Sequence, residues 1–149
     1  GVHYWWPKMF GVMYNKFMAK VACGLIFIGF NTTFFPQFML GSRGMPRRYA
    51  TYLPEFEALH QVSTVGAFIL GIGVAIAVVS LVWSLVAGKK APQNPWGGST
   101  MEWETQTPPI THNFHETPTT KPIYDHSGLV YNEATGNWDR VHAPSGEAH

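Results

Sequence analysis

The stretch 62–87, VSTVGAFILGIGVAIAVVSLVWSLVA, decides the fold, because its 26 residues include no Asp, Glu, Lys or Arg. As a helix rising 1.5 Å per residue it would be roughly 39 Å long, more than the ~30 Å of bilayer hydrocarbon. A second stretch, 21–42, VACGLIFIGFNTTFFPQFMLGS, is equally free of charge over 22 residues. It would reach roughly 33 Å, again enough to cross.

Working outward, the remaining charges are segregated. Residues 1–90 carry eight basic and two acidic residues, whereas 91–149 carry two basic and seven acidic. The first part reads as a basic, aromatic, apolar membrane segment and the second as an acidic, water-facing tail. Two membrane helices cannot enclose a core of their own, since lipid tails are as apolar as Leu. The chain therefore reads as part of a larger membrane assembly. It begins with Gly1, and Val2–Trp6 resembles the end of an apolar segment, which suggests a piece of a longer polypeptide or a processed subunit.

The expected order is as follows. Residues 1–7 end a transmembrane helix, with Tyr4, Trp5 and Trp6 at the lipid–water boundary and Pro7 at the exit. Residues 8–18 form a cytoplasmic loop bearing Lys8 and Lys16. A transmembrane helix follows over 19–42, bent or ended by Pro36, with its Asn31, Thr32 and Thr33 turned toward protein or cofactor. Residues 43–58 make an outer loop. The last helix, 59–88, holds two small-xxx-small pairs, Gly71 with Ala75 and Gly73 with Ala77, suited to close helix contact. The polar tail, 89–149, contains seven of the eleven prolines. It is expected to lie along the cytoplasmic surface in extended segments and turns, anchored by Trp96, Trp103 and Phe114 and loosely held beyond Val130. The single cysteine, Cys23, reads as a small buried hydrophobe.

The outer loop carries Gly44-Met45-Pro46-Arg47-Arg48-Tyr49. With the lysines of 8–20 and Lys89-Lys90 on the cytoplasmic side, Arg43, Arg47 and Arg48 fall on the opposite side, against the usual bias. Glu55 and Glu57 offset this only in part. Pro46 fixes the backbone, and two adjacent guanidinium forks can each take a carboxylate bidentately. Anion binding is the preferred reading; a solvated turn or a lipid-headgroup contact is the plainer one.

Other chemistry is thin. His112 and His115 have ligand-like spacing, but no Cys or acidic cluster completes a site. His3 and His60 read as interface or hydrogen-bonding residues. There is no Cys-x-x-Cys-His, phosphate-binding glycine loop or nucleophile motif, and no basic stripe interleaved with aromatics for nucleic acid. No catalytic residue and no metal ligand is assigned within this segment.

Taken together, Tyr4-Trp5-Trp6-Pro7-Lys8-Met9, Phe27-Ile28-Gly29-Phe30-Asn31, Thr33-Phe34-Phe35-Pro36-Gln37 and the Pro46-Arg47-Arg48 loop resemble the C-terminal part of subunit I of haem–copper terminal oxidases, the bacterial cytochrome c oxidases above all. Ser63-Thr64-Val65-Gly66-Ala67-Phe68, Asn94-Pro95-Trp96, Glu102-Trp103, Pro108-Pro109 and Asn113-Phe114 extend the resemblance over about residues 1–118.

The resemblance implies an all-α membrane fold. Two complete helices and the end of a preceding one would belong to a twelve-helix bundle in the bacterial inner membrane. It implies low-spin and high-spin haem plus copper in the assembled complex, with their ligands outside this chain. It also implies that Arg47 and Arg48 bind haem propionates. The partners would be the remainder of subunit I, subunits II and III, cytochrome c as donor and the lipid bilayer. The whole would oxidise cytochrome c, reduce oxygen to water and pump protons. Ala22-Cys23-Gly24, Phe38 and Ala50-Thr51 depart from the family pattern, which places a His-aromatic-Trp run, a His and an acidic residue there. A quinol oxidase and a non-catalytic two-helix accessory subunit are the alternatives.

Overall fold

The computed structural model describes residues 1–115 and 125–140. The rest of the expected tail, 116–124 and 141–149, lies outside the described residues. The chain divides into two compact units, one of residues 15–83 and one of residues 1–14 with 84–149.

The first unit is a helical hairpin. Helix α2 (Lys16–Ser42) starts where the Asn15 side chain accepts from the backbone N–H of Phe17 at 2.9 Å and Met18 at 3.1 Å, an N-cap that satisfies two otherwise orphaned donors. Pro36 lies inside the helix, and α2 runs on to Ser42. Its end is marked by Gly44 in the left-handed region at φ +88°, after which the Met45 N–H bonds Leu40 O. Helix α3 (Glu57–Ala87) begins one 3₁₀ turn after Pro54. Both helices are long and apolar enough to cross a membrane.

Glycines set how closely α2 and α3 approach. A Cβ built on Gly29 would collide with the backbone of Leu70, and one on Gly66 with that of Thr32 and Thr33. Gly73 meets Leu25 and Ile26 in the same way. Of the two expected small-residue pairs, Gly73 with Ala77 is buried in this seam. Gly71 with Ala75 is exposed, and nothing stands within 4 Å of a Cβ on Gly71. The seam residues recur every three or four positions, and 71 and 75 fall on another face. Cys23 is exposed on α2, not buried as expected. The in-helix polar groups are satisfied locally: Asn31 Nδ2 donates to Phe27 O and Thr33 Oγ1 to Gly29 O, each at 2.7 Å.

In the second unit, helix α1 (Val2–Phe10) contains Pro7 and exits at Gly11, φ +67°. Pro7 lies inside α1, which runs on to Phe10, so the helix ends at Gly11 and not at Pro7 as expected. Strand β1 (Val12–Met13) pairs antiparallel with β2 (Lys89–Lys90), and Ala91 N–H extends the ladder to Gly11 O.

The tail is more ordered than its proline content suggests. Trp103, in the 3₁₀ turn Met101–Trp103, is 1% exposed. Its indole N–H donates to Tyr4 Oη at 2.9 Å, and Trp96 Nε1 donates to Tyr4 O. Phe114 is half-buried. Over 130–140 the tail is not loose: β3 (Leu129–Asn132) and β4 (Asn137–Arg140) form a hairpin. It is tied down by Asn137 Oδ1 accepting from Asn94 N–H and by Trp138 N–H donating to Asn94 O. The fold is mostly helical, with these two small ladders as the correction to an all-α expectation.

Candidate functional site

The loop 43–53 joins α2 to α3 and is built from residues that stop helices. Gly44 turns the chain, Pro46 bars the helical conformation at Met45, and bends follow at Arg47 and Arg48. Arg48 adopts φ +56°, a left-handed conformation that costs a non-glycine residue about 1 kcal/mol because Cβ crowds the following carbonyl oxygen. Strain of this kind concentrates where function holds a side chain in place. Both Arg47 and Arg48 are exposed, and neither has an ion-pair or hydrogen-bond partner among the described residues. Glu55 and Glu57 do not neutralise them. Glu57 instead accepts from Gln61 on its own helix, at 3.1 Å.

Beside this loop lies an open pocket of about 400 Å³ lined by Gln37 of α2, Tyr49 of the loop, and His60, Ser63, Thr64 and Phe68 of α3. Its polar wall is connected. Gln37 Nε2 donates to Ser63 Oγ at 3.0 Å, and Ser63 Oγ donates to Thr33 O at 2.8 Å. His60 is the hub. Its Nδ1 stands 3.4 Å from Gln37 Nε2 and 3.5 Å from Tyr49 Oη, and its Nε2 stands 3.3 Å from Met45 Sδ. These contacts suit the neutral tautomer that carries its proton on Nε2, with Nδ1 as acceptor. Tyr52 packs on the same imidazole with ring centroids 4.2 Å apart. The lining is thus partly hydrogen-bonding and, at Ala67 and Phe68, partly apolar.

The Arg47-Arg48 pair stands where the sequence puts it, on the loop between the two long helices. The expectation for His60 as a hydrogen-bonding residue is met. The roles of Gln37, Ser63 and Tyr49 in one network with His60 were not read from the sequence. A signal existed: Gln37 and Ser63 are polar residues at the edges of apolar helices, positions where polar side chains need partners. His112 and His115 are both exposed, in turns of the tail.

The family described as "Cytochrome C and Quinol oxidase polypeptide I" matches residues 1–69, which includes α2, the arginine loop and the first part of α3. "Cytochrome c oxidase subunit 1" of Bacillus sp. (strain PS3) is 46% identical over 121 residues, covering 79% of this chain and 20% of that protein. The chain belongs to the subunit I family of haem–copper oxidases. A subunit 1 from Bacillus subtilis (strain 168) is 38% identical over 98% of the chain, so likeness to the oxidase subunit continues past residue 118 into the tail. The "Heme-copper oxidase subunit I+III" of Aeropyrum pernix is 47% identical over 119 residues. The chain spans 20% and 25% of the two Bacillus subunits, and is therefore similar to a segment of each.

Proposed function

We propose that this chain is the C-terminal segment of the catalytic subunit of a respiratory cytochrome c oxidase, and that Arg47 and Arg48 bind the propionates of its two haems. The observation that carries this is the uncompensated guanidinium pair on a constrained loop. Two adjacent cations without carboxylate partners of their own fit two acid groups brought by neighbouring helices. In a site shielded from water such pairs are far stronger than exposed ones. The arginines' five fixed donors each suit bidentate carboxylate recognition, which Lys could not reproduce.

The low-spin and high-spin haems and the copper supply electron transfer and oxygen reduction when bound, and their ligands lie outside this chain. This chain's residues position and polarise. Arg47 and Arg48 hold the acid groups. Tyr49, His60 and Gln37 shape the adjoining pocket, and the glycine seam keeps α2 and α3 close enough to present both as one surface. The assembled protein would oxidise cytochrome c, reduce oxygen to water and pump protons, in partnership with the remainder of subunit I and with subunits II and III. It would sit in a bacterial inner membrane with the arginine loop on the outer side and the tail cytoplasmic. The name of the Aeropyrum relative, which joins I with III, supports the third partner. A quinol donor is the second reading, since the family description covers both; a di-copper subunit II in the purified complex would exclude it. The likeness to subunit 1 itself speaks against a peripheral accessory subunit.

The test is a redox titration of the purified complex with Arg47→Ala and Arg48→Ala. Losing a guanidinium leaves a propionate charge uncompensated and disfavours the added electron, so the low-spin haem potential should fall and turnover should slow. Unchanged potential and turnover in both variants would overturn the assignment.

A further inference from the structure

Lys8 is a cation in an unusual place. It lies in the last turns of α1 and is 4% exposed, the most deeply buried charged side chain among the described residues. Its Nζ donates to Thr105 O at 2.7 Å and to Thr107 Oγ1 at 2.9 Å, both on the tail almost a hundred residues away. It also sits 5.5 Å from the centre of the Trp103 ring. The Thr107 hydroxyl directs its own proton to Gln93 O at 3.3 Å, so toward Lys8 it acts as an acceptor. The pocket therefore offers the amine two acceptors and an aromatic face, with no carboxylate bonded to it among the described residues. A neutral amine has two protons to donate and satisfies both acceptors; for the third proton of an ammonium the described residues offer only the Trp103 ring.

We propose that Lys8 is a proton-linked latch, which fastens the tail turn 101–107 to the end of α1 and tightens when the amine loses its proton.

Other charged or titratable groups around the latch are few. Glu102, on the 3₁₀ turn, favours the ammonium. Glu104 is engaged by Arg140 at 3.3 Å. Tyr4, on α1, uses its hydroxyl to accept from Trp103. Burial outweighs Glu102 and lowers Lys8 to about 8 from its usual 10.5. The sign follows from linkage. The docked state binds fewer protons than the undocked one between those two values. Docking therefore strengthens as pH rises through that window and changes little below it. With these values docking would strengthen about tenfold between pH 7 and 9.

Amide exchange of the 101–107 segment in the purified complex, scaled to the intrinsic rate at each pH, measures this. In the wild type, protection should rise about tenfold from pH 7 to 9. In Lys8→Arg, which stays charged throughout, protection should be flat. In Glu102→Gln the rise should begin at lower pH, because the group favouring the ammonium is gone. A flat wild-type profile overturns the latch without reference to any variant, and so does a Lys8→Arg profile that keeps the wild-type slope. None of these readouts depends on haem binding or turnover, so the outcome is separable from the role of the arginine loop.

Discussion

Between α2 and α3 the closest approaches are at Gly29, Gly66 and Gly73, where backbone meets backbone, while Phe35, Phe38 and Phe68 point outward at 65%, 76% and 71% exposure. In the tail unit the most enclosed large side chain is Trp103, which donates to Tyr4 Oη, while Lys8 and Asn94 donate to the nearby carbonyls of Thr105 and Gly98. The helices of the first unit are apolar enough to cross a membrane, whereas the tail is polar and acidic. Lipid gives a large apolar side chain no reason to turn inward, so helices gain by approaching closely, and small residues allow it. Water drives the aromatic ring inside, and a short irregular segment then needs hydrogen bonds to satisfy its backbone.

The sharpest way to break this contrast is Trp103→Ala. Removing a buried aromatic from a packed interior costs about 3–5 kcal/mol. Protease cleavage near residues 101–107 should then accelerate strongly in the purified complex while the haem spectrum stays intact. A tail that remained protected would show that its order comes from elsewhere. Next in size is the seam. Gly66→Ala should cost about 1–3 kcal/mol, since two backbones must separate, whereas Gly71→Ala should be close to neutral for this helix pair. The midpoint of detergent-induced loss of the haem spectrum would compare them, and equal losses would count against a glycine-set approach. A smaller effect, about 1 kcal/mol, is expected from Asn15→Ala, which removes the cap of α2. Exchange of the Phe17 and Met18 amides would report it. Smallest is Arg140→Gln. Its single contact to Glu104 at 3.3 Å is partly exposed and should contribute less than ~0.5 kcal/mol, read from hairpin exchange.

Much of the helical unit was legible because uncharged length is a one-dimensional property. The spans, the breaking residues Gly44 and Pro46, and the isolated arginine pair could all be read along the chain. Pro7 was misread as an exit, since α1 continues through it to Phe10. Cys23 was misplaced because burial in a two-helix segment depends on which face meets the neighbour. The pocket network of Gln37, Tyr49, His60 and Ser63 draws on three elements, and no local pattern links them. The tail misled most. The stretch from Val130 was expected to be loosely held, yet the hairpin 129–140 is held by Asn94 more than thirty residues upstream.

The sequence by itself determined that two helices of membrane-crossing length flank a cationic loop, that an acidic polar tail follows, and that the whole resembles an oxidase subunit. Those conclusions rest on charge, length and local backbone preference, which need no knowledge of neighbours. Only the tertiary structure decided which glycines form the seam, that His60 gathers the pocket's polar groups, and that Lys8 is enclosed by the tail. Each of these depends on groups distant in sequence meeting at a few ångströms, and contact energies act on separation in space, not along the chain.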